Sequence, residues 1–280
     1  MLDIKLVREN PDKVNELLKR RDANLSIEEI IKIDEKRRSA QTELDALRNK
    51  RKEISKIVGQ LRKDGKNADK EQEESKEIGN KIKELEEEEE KFNTLQKDIL
   101  LKTPNLPQEN VPIGPDESFN KEIKKWGNIP NVDFKQKNHW DVGTNLDILD
   151  FERGVKISES RFVIYKGLGA RLERALINFF LDTNTKRGYK EIVPPFLVND
   201  KTMTGTGQLP KFAEDMYKCA DDNLYLIPTA EVPLTNMYSD EILKDTDLPI
   251  YLTAYTPCFR REAGSAGKDT RGLIRVHQFN

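Results

Sequence analysis

Between Pro11 and Pro104 the chain has no proline, and its only aromatic residue there is Phe92. A helix is broken chiefly by proline, which lacks an N–H and clashes with the preceding turn, so this stretch is free to run as long helix. Twelve of the thirteen prolines come from Pro104 onward, together with both tryptophans and nearly all the aromatic residues, and these locate a packed core in the second part. From Thr103 to Pro115 the sequence TPNLPQENVPIGP carries four prolines and reads as the linker. The expected division is a helical region over 1–103, a linker over 104–117 and a second domain over 118–280.

Asn10-Pro11 predicts a helix start, Asn as cap and Pro at the first helical position, followed by the apolar stripe Val14, Leu17 and Leu18. From Ile30 a stricter spacing begins. Ile30, Ile33, Arg37, Ala40, Leu44, Leu47, Arg51, Ile54, Val58 and Leu61 alternate three and four apart, and eight of these ten are apolar, the pattern of a coiled-coil seam. Lys63-Asp64-Gly65-Lys66-Asn67 has turn composition. A second arm repeats the seam with Ile78, Ile82, Leu85, Phe92 and Ile99. Neither arm can bury its stripe alone, so the two are expected to fold back as an antiparallel hairpin over about 27–102. At ~1.5 Å per residue, Ile30 to Leu61 spans roughly 47 Å.

The whole chain has 48 basic and 50 acidic residues, so any contact with a polyanion must be local. The arm from Ser26 to Arg62 holds ten basic and seven acidic residues, and the arm from Lys70 to Lys102 holds seven and eleven. Lys50, Arg51, Lys52, Arg62, Lys63 and Lys66 thus make the first arm and tip positive. Two readings stay open from charge alone: a solvated surface laced with ion pairs, or a projecting arm that touches a phosphate backbone by shape. Two cysteines and two histidines exclude a disulfide framework and make a His-based metal site or a Ser-His-Asp triad a poor expectation. No run of about 18 apolar residues suggests a membrane span, and charge from Asp3 onward leaves no signal-peptide core, so a cytoplasmic chain is expected.

The second part reads as mixed α and β. Phe162–Tyr165, Ile192–Val198, Leu224–Ile227, Ile250–Ala254 and Cys258–Phe259 suggest short strands. Gly169 to Thr185 has helical periodicity through Leu172, Ala175, Leu176, Phe179 and Phe180. Long connections suit an antiparallel sheet flanked by helices, giving an α+β fold. In Arg260-Arg261-Glu262, Arg and Glu at i and i+2 would share one face of a strand. A guanidinium fork can hold a phosphate there while the carboxylate accepts from an exocyclic amine. The interval Gly264–Gly272, with Lys268 and Arg271, suits a loop over a polyphosphate, and Phe279 could stack on a base.

Three stretches, GTGQLPKF (Gly205–Phe212), PTAE (Pro228–Glu231) and FRREAGSAGKDTRGLIRVHQF (Phe259–Phe279), occur in this order. With them the chain resembles, over essentially its whole length, the seryl-tRNA synthetase family of class II aminoacyl-tRNA synthetases. The resemblance implies a tRNA-binding helical arm followed by a class II catalytic domain. In that domain Gly188 and Pro195 belong to motif 1 at a homodimer interface, and 259–279 is motif 2. It further implies that Thr229, Ala230, Glu231 and Arg260 bind serine, with Glu231 on the ammonium group. Arg260, Arg261, Glu262, Arg275, Val276 and Phe279 would bind ATP: Arg260 on the α-phosphate, Glu262 on the adenine amine and Phe279 stacked on adenine. Alternation along a strand turns Arg261 to the opposite side. His277 and Cys258 are expected to be structural. Implied partners are serine tRNA, ATP, L-serine and a second copy, with Mg²⁺ as cofactor. The family's Mg²⁺ ligands, a further serine-binding glutamate and motif 3 lie past the position where this sequence stops, so no metal site is expected within it. An incomplete class II sheet and little activity of these residues by themselves are expected. A non-catalytic tRNA-binding remnant and a coiled-coil assembly protein are the alternative functions.

Overall fold

A computed structural model describes residues 1–263 and 270–280, and these fall into two compact units, Met1–Trp126 and Gly127–Asn280. The first unit is helical: α1 (Ile4–Glu9), α2 (Pro11–Lys19), α3 (Glu28–Lys63) and α4 (Asp69–Lys102). The 36 residues of α3 reach about 54 Å at ~1.5 Å each. Its seam packs on α4 through buried Leu44, Ile54, Ile78 and Ile82, with Leu47, Val58 and Leu85 half-buried beside them. The turn falls where composition placed it, with Gly65 at φ +69°, in the region that favours glycine. Pro11 opens α2 as expected, but the Asn10 side chain makes no capping hydrogen bond.

At the base of the hairpin, Leu2, Val7, Val14, Leu18, Ile27, Ile30 and Leu100 close one apolar cluster. The proline-rich segment does not leave this unit at once. Arg21 donates to the Asn105 carbonyl and Arg20 to the Val111 carbonyl, and Leu106 packs on the cluster.

The structure also explains the two seam positions that carry arginine. Arg37 approaches Asp34 Oδ1 at 3.7 Å and Glu89 Oε1 at 3.9 Å. Arg51 lies along Gly79, where a side chain would meet its guanidinium carbon at 3.5 Å. Asp34, one residue after Ile33, is buried at 3% exposure. Arg8 holds it with two 2.6 Å bonds, and the buried Gln96 side chain donates to it at 2.8 Å. Burial alone would raise the Asp34 carboxyl, but the hydrogen bonds from Arg8 and Gln96 and the nearby Arg37 hold it below its ordinary value.

The second unit contains α5 (His139–Asn145), β1 (Leu149–Asp150), α6 (Phe151–Ile157), β2 (Ile164–Tyr165), α7 (Leu168–Lys186), β3 (Lys190–Glu191), β4 (Leu197–Asn199) and α8 (Asp200–Gly205). After these come β5 (Lys218–Cys219), β6 (Leu224–Leu226), α9 (Glu231–Asn236), β7 (Leu252–Thr253), β8 (Cys258–Phe259) and β9 (Gln278–Phe279). Among the described residues the strands form four small sheets: β1-β2, β3-β7, β4-β6-β5 and β8-β9. All pair antiparallel except β3 with β7, which is parallel and departs from a purely antiparallel expectation. The core is Val198, Met203, Met216, Tyr225, Ile227 and Val232.

α7 forms as its periodicity predicts, but its apolar stripe is not core. Leu172, Leu176, Phe179 and Phe180 are exposed, at 44–61% of their surface. Amphipathic spacing reports that a helix has an apolar face; nothing among the described residues of this unit covers much of it.

Replacing Asp34 by Ala leaves Arg8 without its buried partner and is expected to cost about 3 kcal/mol in a denaturant melt at neutral pH. Because the folded carboxyl is held low, its contribution is complete above its unfolded value of about 4 and is lost as pH falls through the lower folded value. The D34A chain should therefore lack that acid-dependent loss; equal stability of the two chains at neutral pH would contradict this account.

Candidate nucleotide and amino-acid site

Registration of Cys258 opposite Phe279 and of Phe259 opposite Gln278 fixes the site. The ladder continues for one more bond, from Arg260 N–H to the His277 carbonyl at 2.9 Å, and then stops. Glu262 takes φ +50°, so Arg260 and Glu262 do not share the face of a regular strand as their i, i+2 spacing predicts. They line the same cavities instead. Arg261 N–H bonds the Asp215 carbonyl at 2.8 Å, and Ala263 N–H bonds Asp215 Oδ1 at 2.7 Å.

Arg260 is held from three sides. Its Nε donates to the Pro228 carbonyl at 3.2 Å, and its guanidinium lies 4.9 Å from the centre of the Phe279 ring. Its own carbonyl meets His277 Nδ1 at 2.8 Å. His277 is buried, stacked on Phe162 and edge-on to Tyr217, whose hydroxyl is pushed up by burial. The expected structural role of His277 therefore has a definite content: it fixes the backbone of Arg260. With Nε used on a carbonyl, the two terminal guanidinium nitrogens are the donors suited to an anion.

Glu262 and Arg275, expected as separate nucleotide contacts, bond each other in the structure, Arg275 Nη1 to Glu262 Oε2 at 2.5 Å, both partly shielded. Arg260, Glu262 and Arg275 line a cavity of about 510 Å³ with Ile274, Val276 and Phe279. The same three charged residues line a second cavity of about 350 Å³ with Gln208, Phe212 and Asp215. Arg261, expected among the ATP contacts, lines neither of these two cavities.

Thr229, Ala230 and Phe279 line a third cavity of about 550 Å³, with Tyr165, Glu173 and Thr256. Burial first, and then the charge of Glu173, raises the Tyr165 hydroxyl, so it is protonated at neutral pH and can donate. Glu231 opens α9 as an exposed residue, its N–H on Thr229 Oγ1 at 3.3 Å. Cys258 is buried against Thr256. Gly188, at φ +91°, and Pro195 are exposed, beside Val193 at 82% exposure.

Motif reading leaves several residues without a role. Gln208 and Phe212 sit within GTGQLPKF, which is a signal. Asp215 and His139 have none, because they act on backbone groups distant in sequence. Gly272 is demanding on two counts: φ is +60°, and a Cβ would lie 2.3 Å from His139 Nε2. Lys268 and most of the glycine-rich interval lie outside the described residues.

On the hairpin, Lys50 pairs with Glu74 at 2.7 Å and Arg48 with Glu86 at 2.7 Å. Lys52, Arg62, Lys63 and Lys66 are exposed on the arm and tip. Among the described residues no group of three His, Cys, Asp or Glu side chains is placed to hold a metal ion. No helix among them is long and apolar enough to cross a membrane.

Comparison with known proteins agrees with both halves. Residues 1–107 match the family model described as the seryl-tRNA synthetase N-terminal domain. Residues 217–280 match the class II tRNA synthetase core domain, and the second unit is thus of the class II synthetase type. The serine–tRNA ligase of Clostridium tetani is 51% identical over all of this chain, and that of Carboxydothermus hydrogenoformans 52%. A crystal structure of the seryl-tRNA synthetase of Pyrococcus horikoshii complexed with ATP matches the whole chain, with TM-score 0.87, 38% identity and 68% of that chain covered. The cytoplasmic enzyme of Naegleria fowleri in complex with AMP matches with TM-score 0.80 and 29% identity over 69% of its chain. The chain belongs to the seryl-tRNA synthetase family. It spans about two thirds of the length of the curated relatives it matches, 67% and 66% for the two ligases above.

Gly272→Ala should destabilise the second unit by about 1–2 kcal/mol through the positive φ alone, which corresponds to a melting midpoint lower by about 3–6 °C. An unchanged midpoint in a thermal melt would show that the segment is not held as described.

Proposed function

We propose that this chain forms part of a serine–tRNA ligase, which activates L-serine with ATP and passes the seryl group to the terminal ribose of serine tRNA. The observation that carries the reading is the convergence of Arg260, Glu262, Arg275 and Phe279, which are separated by up to 19 residues, on the wall of one cavity. The serine carboxylate oxygen attacks the α-phosphorus, forming a new P–O bond as the bond to the β,γ-pyrophosphate breaks. Charge grows on the phosphoryl oxygens, and a guanidinium preorganised there by Pro228, His277 and Phe279 stabilises it without reorientation cost. Nothing in that step requires a protein nucleophile, which suits a chain with two histidines, both engaged on backbone groups.

Thr229, Ala230 and Glu231 would bind serine, with Glu231 on the ammonium group, and the neighbouring polar groups would select the hydroxyl over a methyl group. One Glu262 oxygen would accept from the adenine amine while the other keeps Arg275, and adenine would stack on Phe279. Arg261 and Val276 complete the motif. ATP complexes of family members support nucleotide use, and Mg²⁺ would be held by residues outside those described. The exposed cations Lys52, Arg62, Lys63 and Lys66, with Lys50 and Arg51 engaged along the hairpin, suit contact with a tRNA backbone. Exposed Gly188, Val193 and Pro195, and the exposed apolar face of α7, favour a homodimer through motif 1, and family membership favours a cytoplasmic enzyme.

The test is serine-dependent ATP–pyrophosphate exchange by the protein in its full cellular length. Exchange is expected, and Arg260→Ala should lower kcat/KM by about 100-fold or more. Exchange with another amino acid only, or an R260A variant within about threefold of the parent, would overturn the assignment.

A further inference from the structure

His139 is one of two histidines in the chain and stands first in α5 with its side chain exposed. Its Nε2 lies 2.8 Å from the backbone N of Leu273, 134 residues away. A backbone N–H can only donate, so Nε2 must offer its lone pair and the imidazole proton sits on Nδ1. Trp140 meets the His139 ring edge-on, with centroids 4.9 Å apart, and the Arg271 guanidinium lies over the Trp140 ring at 5.1 Å. Gly272 closes against both rings. Three consecutive residues, 271–273, are therefore seated on two consecutive residues, 139–140.

From this seat the chain runs directly into the cavity wall. Leu273, Ile274, Arg275 and Val276 line the 510 Å³ cavity, and Arg275 reaches across it to Glu262. At the other end of the motif, Asp215 takes the N–H groups of Arg261 and Ala263. The Glu262–Arg275 pair is thus suspended between two anchors, Asp215 and His139, and Arg275 is only two residues from Leu273, where the second anchor holds.

We propose that His139 is a positioning residue for nucleotide binding: by accepting the Leu273 N–H it sets the course of 273–276 and so the place of the Arg275 guanidinium. It touches no substrate. The inference rests on the reading that this wall binds ATP. Serine would be held by 229–231 and by Arg260, which Pro228 and His277 fix independently of His139, so loss of the His139 bond should act chiefly on ATP. A single lost hydrogen bond with a freed wall corresponds to about a 5–10-fold weaker nucleotide interaction. Glutamine at 139 carries an amide oxygen at similar reach and can accept the same N–H, whereas alanine cannot.

The experiment uses the protein in its full cellular length as parent, H139A and H139Q. It records KM for ATP and for serine in pyrophosphate exchange, and hydrogen exchange at the Leu273 amide. The proposal expects H139A to raise KM for ATP about 5–10-fold and leave KM for serine within about twofold. Leu273 should lose protection in H139A, and H139Q should recover both. An H139A variant with unchanged KM for ATP, or one that raises both KM values with H139Q no better, overturns the proposal. No exchange in the parent protein overturns the ATP reading and the proposal with it, a result distinct from the first two.

Discussion

Everything at the candidate site depends on one short pairing, Cys258–Phe259 with Gln278–Phe279. A two-residue ladder is marginal in isolation, and here it is tied into the core from below. Phe259 N–H bonds the carbonyl of Ile227, a fully buried core residue, at 2.9 Å. His277 then doubles the end of the ladder, its backbone carbonyl on Arg260 N–H and its ring on the Arg260 carbonyl. The aromatic packing of His277 between Phe162 and Tyr217 fixes that ring, and through it the start of the Arg260 side chain. A guanidinium placed this way needs little reorganisation to meet a developing charge, which is what electrostatic preorganisation requires.

The helical unit solves a different problem with similar means. A long hairpin made of charged sequence has few apolar layers to fix its register, and polar groups at its base add specificity to them. Asp34 is the centre of that set, bonded by Arg8 from α1 and Gln96 from α4. Three helices thus share one buried carboxylate. Cross-hairpin pairs farther out, such as Lys50 with Glu74 and Arg48 with Glu86, are exposed and contribute little individually. The strongest polar link lies at the base, where the hairpin meets the other helices of its unit.

The long features are legible in the sequence because they arise from repetition. An unbroken run without proline, a seam spaced three and four apart and a glycine-containing tip are sufficient to place α3, the turn and α4. The helix α7 is equally legible as a helix, but not its exposure, since periodicity marks an apolar face without naming what covers it. Asp34 is not legible: a charged residue beside a seam is ordinarily solvated, and only the arrival of Arg8 and Gln96 makes its burial tolerable. At the site, Arg260, Glu262, Arg275 and Phe279 are legible as a motif. Their geometry is not, because Glu262 leaves the strand with a positive φ and takes Arg275 as its partner. Asp215 and His139 bind backbone N–H groups, and such contacts leave no trace in side-chain pattern.

The central claim is that the wall formed by Arg260, Glu262, Arg275 and Phe279 receives the nucleotide. The most direct measurement is a crystal structure of the protein in its full cellular length with a non-hydrolysable seryl-adenylate analogue. The account predicts Arg260 terminal nitrogens within about 3 Å of the group replacing the α-phosphate, the adenine ring on Phe279 and its amine on Glu262. An analogue bound away from Arg260, or an adenine with no contact to Phe279 and Glu262, would contradict it.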